Sequence, residues 1–152
     1  MNFKKNIFFC ITLITLFSGC EKDDFCIEPV TPKFVIRFYD ALNDTELKNT
    51  NNLYVWADGR DTIYSGVSTD SIALPLELDG SITLYNLSQG NDLDQLTIKY
   101  DLEQDYVSRS CGFRAIFSNV FVNYTNNWID YINPETIPFI DNDNQAHVKI
   151  FH

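Results

Sequence analysis

Leu96-Thr97-Ile98-Lys99-Tyr100-Asp101-Leu102 sets apolar and polar residues in strict alternation. Successive side chains of a strand point to opposite faces, so this pattern predicts a β-strand with one buried and one wetted face. The same period of two runs outward from it in both directions. Phe34, Ile36 and Phe38 alternate with Val35, Arg37 and Tyr39, and Leu53, Val55 and Ala57 alternate with Tyr54 and Trp56. Asp58-Gly59 is a turn signal, after which Thr62 to Tyr64 is expected to pair back. Ile72, Leu74, Leu76 and Leu78 share a face; Pro75 among them cannot donate to a ladder, which predicts an edge strand. Asp79-Gly80 reads as a hairpin turn into a strand through Ile82, Leu84 and Tyr85, and Gly90-Asn91-Asp92 as a loop.

Beyond Leu102, Tyr106 to Cys111 reads as another strand, and Phe113 to Tyr124 as an apolar stretch whose register the sequence leaves open. Asn126-Asn127 is a turn before Trp128 to Ile132, and Asn133-Pro134 and Pro138 break the segment after Ile132. Val148 and Ile150 then alternate with His147 and Lys149 in a last strand, which turns His147 outward. No stretch has a helical period and no repeat is visible. Short strands at roughly ten-residue spacing predict an all-β domain, an antiparallel β-sandwich (immunoglobulin-like or related) of seven to nine strands.

The N-terminal end has a different character. Lys4 and Lys5 precede an apolar run from Ile7 to Phe17. Eleven helical residues reach roughly 16 Å, about half of a hydrocarbon core, which suits the apolar region of a cleaved signal peptide. The small pair Ser18-Gly19 and then Cys20 resemble the lipobox of bacterial lipoproteins, with Phe17 standing where leucine is usual. That resemblance implies a leader over residues 1–19, cleavage before Cys20, and a diacylglyceryl group on the Cys20 sulfur. The alternative is an ordinary secretory signal with an incidental cysteine. Residues 20–32 then form a lipidated N-terminus and acidic tether stiffened by Pro29 and Pro32, and residues 33–152 the sandwich domain. Lys22-Asp23-Asp24 resembles the surface-export signal of Bacteroidetes lipoproteins, with a plain charged linker as the alternative. The expected address is the outer membrane, lipid-anchored, at the cell surface or on the periplasmic leaflet.

Charge narrows the partners. The leader removes two of the 11 basic residues, leaving nine against 21 acidic ones, a net of −12. That excess repels nucleic acid and anionic headgroups, so no nucleic-acid partner is expected and membrane attachment falls to the lipid. A diacyl group suffices for that, where a single chain would not. Of the four cysteines, Cys10 leaves with the leader and Cys20 carries lipid, which leaves Cys26 and Cys111 in an oxidising compartment. The pair reads as one disulfide. A metal site is the alternative, although two cysteines without a nearby histidine are a poor zinc set.

Several segments taken together resemble an uncharacterised lipoprotein family of flavobacteria, number sixty-four fifty-two in the domain-of-unknown-function series. They are Lys33-Phe-Val-Ile-Arg-Phe-Tyr-Asp40, Asn52-Leu-Tyr-Val-Trp56, Leu74-Pro-Leu76, Tyr106-Val-Ser-Arg-Ser-Cys-Gly112 and His147-Val-Lys-Ile-Phe-His152. The resemblance covers nearly the whole mature chain and implies a lipoprotein, but brings no activity with it.

Motifs for chemistry are sparse. There is no Gly-x-Ser-x-Gly elbow, no His-Glu-x-x-His and no phosphate-binding glycine loop. Asp141-Asn142-Asp143-Asn144 offers oxygens in a row, but lacks the glycine and the distal glutamate of a calcium loop. No cofactor and no metal are expected. Tyr54, Trp56 and Trp128 are candidate ligand-facing aromatics, with core or cross-strand packing as the alternative. Asp61-Thr62-Ile63 and Asp70-Ser71-Ile72 resemble the Bacteroidetes O-glycosylation motif at Thr62 and Ser71. The expected function is a non-catalytic binding or structural module with an envelope protein or glycan as partner. A small envelope hydrolase acting on glycans through carboxylates is the alternative; it would need a pocket with convergent polar groups.

Overall fold

The computed structural model describes residues 26–27 and 31–152, so the leader, Cys20 and the Lys22-Asp23-Asp24 run lie outside the described residues. The described chain is all-β and builds two sheets. The strands are β1 (Phe34–Asp40), β2 (Asn43–Leu47), β3 (Thr50–Ala57), β4 (Thr62–Thr69), β5 (Ser71–Leu74), β6 (Ile82–Gln89), β7 (Asp92–Ser108), β8 (Gly112–Tyr124), β9 (Tyr131–Asn133), β10 (Thr136–Ile140) and β11 (Val148–Phe151). One sheet runs β2-β1-β11-β9 with β5 also on β1; the other runs β10-β8-β7-β6-β3-β4. Since β11 takes one edge of β1 through Ile36 to Tyr39, β5 and β2 share the other, end to end.

Alternation explains the layering. Phe34, Ile36, Phe38, Ile72, Leu74, Val148 and Ile150 of the first sheet meet Leu53, Val55, Leu87, Leu96, Ile98, Phe117 and Val122 of the second in one continuous core. Each residue of this size brings about 1.5–3 kcal/mol when withdrawn from water, which is what presses the sheets together. Asp58-Gly59 closes the β3–β4 turn as the sequence indicates, and Gly90, with φ of 64°, supplies the left-handed turn between β6 and β7.

The sandwich has eleven strands where seven to nine are expected from sequence, and the differences have local causes. The expected strand from Ile72 to Leu78 ends at Leu74, and Asp79-Gly80 is no hairpin: β5 and β6 belong to different sheets. The segment Pro75 to Asp79 crosses between them as a strap. Leu96–Leu102 and Tyr106–Cys111, expected as two strands, merge into the single strand β7 as far as Ser108, and Arg109 to Cys111 form the turn into β8. The expected strand Trp128–Ile132 begins only at Tyr131, and Pro138 sits inside β10, tolerated because β10 is an edge strand. The pairing of β1 with β11 is parallel, within sheets that are otherwise antiparallel. It places the last strand of the chain beside the first.

β7 and β8 form the longest ladder of the molecule, from Leu96↔Tyr124 at one end to Ser108↔Gly112 at the other. Seventeen residues of strand reach about 50 Å. At the Ser108–Gly112 end, Cys111 is joined to Cys26 in a disulfide with a Cα–Cα distance of 4.9 Å and a sequence separation of 85.

Candidate functional site

The opposite end of that ladder is built around a buried carboxylate. Asp94 keeps the even, core-facing phase of Leu96 and Ile98 and is fully buried. Its Oδ1 accepts the Thr125 hydroxyl at 2.6 Å and the Asn127 N–H at 2.8 Å; Oδ2 accepts the Trp128 and Ile129 N–H groups at 2.8 and 2.9 Å. Burial alone pushes this carboxyl up, but the hydroxyl and the three backbone donors outweigh it and hold it below its ordinary value. A turn that would otherwise leave three N–H groups without a ladder is thereby satisfied by one side chain. The Asn127 side chain donates to Leu93 O at 2.7 Å and the Trp128 indole to Leu87 O at 3.1 Å, fixing the turn from both flanks.

The fixed turn rims a shallow, uncharged depression of about 560 Å³ formed by Asn123 to Asn127. The outer face of the six-stranded sheet lies beside it, where the Gln95 N–H donates to Thr125 Oγ1 and the Gln95 C=O accepts the Thr125 N–H. There Trp56, Asn86 and Gln95 stand side by side on β3, β6 and β7, with Tyr54 opposite Ser88 in the next row. Asp58 Oδ1 accepts from Asn86 Nδ2 at 2.7 Å, and Asn86 Oδ1 accepts from Gln95 Nε2 at 3.1 Å, so the amides are oriented before anything binds. Tyr54 is exposed and Trp56 half-buried. Trp128 is not on this face. It packs against the core and lies near Phe38 and His152, at centroid distances of 6.3 and 5.5 Å.

A second concavity, of about 500 Å³, lies under the strap among Arg60, Ile63, Glu77 and Tyr85. Its polar groups converge on the strap itself. Tyr85 donates to Pro75 O and Tyr100 to Glu77 O, Thr83 Oγ1 accepts the Glu77 N–H, and Glu77 pairs with Arg60 at 2.9 Å. Burial, with Tyr100 and Glu77 nearby, pushes the Tyr85 phenol up to about 12. These hydroxyls hold backbone that no ladder holds.

The two histidines are also engaged. His147 precedes β11 and is half-buried rather than outward, stacked on Phe34 at 5.9 Å. Its Nδ1 accepts the Val35 N–H and its Nε2 donates to Asn142 O, both at 2.9 Å, so the neutral ring bridges two segments. Burial lowers its pKa. His152 is lowered too, by burial and then by Lys48. Asp141–Asn144 closes on itself through Asn142, and among the described residues no group of three His, Cys, Asp or Glu is placed to hold a metal ion. Thr62 is exposed at the start of β4; Ser71 is half-buried in β5, opposite Arg37.

Sequence reasoning misses Asp94. The available signal was an aspartate in phase with Leu96 and Ile98, a charge where the alternation demands a core residue.

A family profile described as a family of unknown function (DUF6452) matches residues 52–152. The chain belongs to this family. The match begins inside β3 and takes in both ends of the β7–β8 ladder, the strap and the C-terminal strand. No curated protein and no solved structure matches the chain.

Proposed function

We propose that this DUF6452 member is a lipid-anchored, non-catalytic module of the cell envelope that binds a protein or glycan partner at the end of the β7–β8 ladder far from its anchor. The observation that carries the reading is the polarity of that ladder. The disulfide fastens Cys26 to one end, and at the other lie Asn123 to Asn127, on a turn whose backbone Asp94 holds, beside the Gln95 amide oriented by Asn86. A surface whose donors are already fixed loses little entropy on binding. Uncharged amides beside aromatic rings suit hydroxyl-rich sugars or a polar protein surface. Against the hydrolase alternative, the strap concavity spends its hydroxyls on its own backbone. The row of carboxylates on β7 is likewise engaged: Asp101 with Asn119, Glu103 with Ser118 and Asp105 with Arg114.

A photo-crosslinker placed at Asn126 in intact cells should capture an envelope partner that the same probe at Thr62 does not. Equal capture from both positions, or none from Asn126, would overturn the reading. Replacing Lys22, Asp23 and Asp24 by alanine should preserve acylation and abolish cleavage by external protease; unchanged cleavage would make the run a plain linker.

A further inference from the structure

We propose that the disulfide-bearing tip of the β7–β8 hairpin is a membrane-contact surface, whose side chains enter the bilayer interface beside the lipid anchor; the inference rests on the anchored reading above. Past Tyr100 the hairpin outruns the opposing sheet. Cross-strand partners face the same side, so Leu102, Tyr106 and Phe113 continue the core-facing side of Phe117. Unlike Phe117 they are uncovered: Leu102 is 39%, Tyr106 54% and Phe113 63% exposed. Tyr106 and Phe113 touch edge to face at 5.4 Å, forming one aromatic knob. Ile27, next to the bridged Cys26, is 89% exposed.

The other side of the same arm carries Asp101 and Glu103 beside Ser118 and the Asp105–Arg114 ion pair, with the buried Ile116 opposite Glu103. On the uncovered side Gln104 is exposed between Leu102 and Tyr106, but the aromatic knob and Leu102 still leave apolar rings and carbon open to solvent, a surface that needs an occupant. Two features select the bilayer. The first is chain length: Cys26 stands six positions after Cys20, so the bridged tip stands within about 20 Å of an anchored Cys20. The second is composition. Tyrosine enriches at membrane interfaces, its ring among acyl chains and its hydroxyl among headgroups. The exposed Arg109 in the turn adds a cation able to reach lipid phosphates from an otherwise acidic protein. Contact at this tip would stand the hairpin away from the bilayer and direct the Asn123–Asn127 end outward.

The test uses the mature acylated full chain in vesicles of phosphatidylethanolamine and phosphatidylcholine, with or without bromine on the acyl chains. Phe113→Trp adds a reporter at the knob and Leu93→Trp one near the far end of β7; the unaltered protein, with Trp56 and Trp128, gives the baseline. The tryptophan at 113 should lose at least half of its added fluorescence in brominated vesicles, and that at 93 none. Protein that floats with the vesicles while its reporter at 113 stays unquenched overturns the membrane-contact surface and leaves the anchor standing. Equal quenching at 113 and 93 overturns it as well, since the domain would then lie flat. Protein that carries no acyl group and does not float overturns the anchored reading and this inference together.

Discussion

The two ends of the β7–β8 ladder are held by opposite means. At the Ser108–Gly112 end a covalent bridge to Cys26 does the holding, while Tyr106 and Phe113 remain exposed. At the Asp92–Tyr124 end the fastening is a buried carboxylate that accepts four hydrogen bonds while Ile129 and Trp128 pack inward. The comparison teaches that one strand pair can be fastened at an uncovered end by a crosslink and at a core-packed end by a buried side chain. A crosslink acts through the unfolded chain and tolerates exposed apolar surface. A buried charge acts in the folded state and demands complete satisfaction.

The largest expected effect separates these mechanisms. Cys26→Ser with Cys111→Ser should cost about 4.5 kcal/mol in the chain-entropy model for a loop of 85 residues, read as a fall in the urea midpoint, with the Asp94 turn retaining its amide protection. Loss of protection at Thr125–Ile129 in that variant would show that the ends are coupled rather than independent.

Next is Asp94→Ala, which leaves three backbone donors, that of Ile129 buried, and a hydroxyl without their acceptor and should cost about 3 kcal/mol. Its pH signature has a definite sign. The folded carboxyl is more acidic than the unfolded one, so the stabilisation is complete above an unfolded value of about 3.9. It is lost as pH falls through the lower folded value. Asp94→Asn should flatten this acid limb in urea titrations, while the unaltered chain keeps it.

Gly66→Ala should cost about 1–2 kcal/mol. Gly66 has φ of 64° at a break in the β3–β4 register, and an added Cβ would stand 3.0 Å from the Tyr54 hydroxyl. Tyr54→Phe in the same chain should relieve part of that cost, which would confirm that Tyr54 is braced against β4; an unchanged midpoint would contradict it. The smallest effect belongs to the histidines. With folded values lowered by burial, their contribution is present above about 6.5 and lost as pH falls through the folded values. Stability should therefore begin to decline just below that pH, and His147→Gln should shrink the decline while His152 supplies the remainder.

Much of this was legible before the fold. Alternation from Leu96 to Leu102 and from Phe34 to Phe38 announced two-faced strands, and the same faces form the core as far as Tyr100, beyond which Leu102 is exposed. The Cys26–Cys111 bridge was reached by elimination, with Cys10 assigned to an expected leader and Cys20 to an expected lipobox. What stayed hidden depends on distance along the chain. Nothing local in Val148-Lys-Ile-Phe151 announces a parallel partner more than a hundred residues away at Ile36–Tyr39, and Asp79-Gly80 has hairpin chemistry whether or not its flanks share a sheet. Asp94 was readable only as a violation of pattern, and the exposure of Tyr106 and Phe113 was not readable at all, because alternation cannot say where the opposing sheet ends.

The proposed partner face and the proposed membrane-facing tip both depend on the tether being an anchor, and intact-mass analysis of the protein purified from membranes tests that most directly. The anchored reading predicts a chain beginning at Cys20, carrying a diacylglyceryl group on its sulfur, with Cys26 and Cys111 bridged, and absent from the membrane fraction when Cys20→Ala is expressed. A chain that begins elsewhere, or a Cys20→Ala protein still cleaved and held in the membrane, would contradict it.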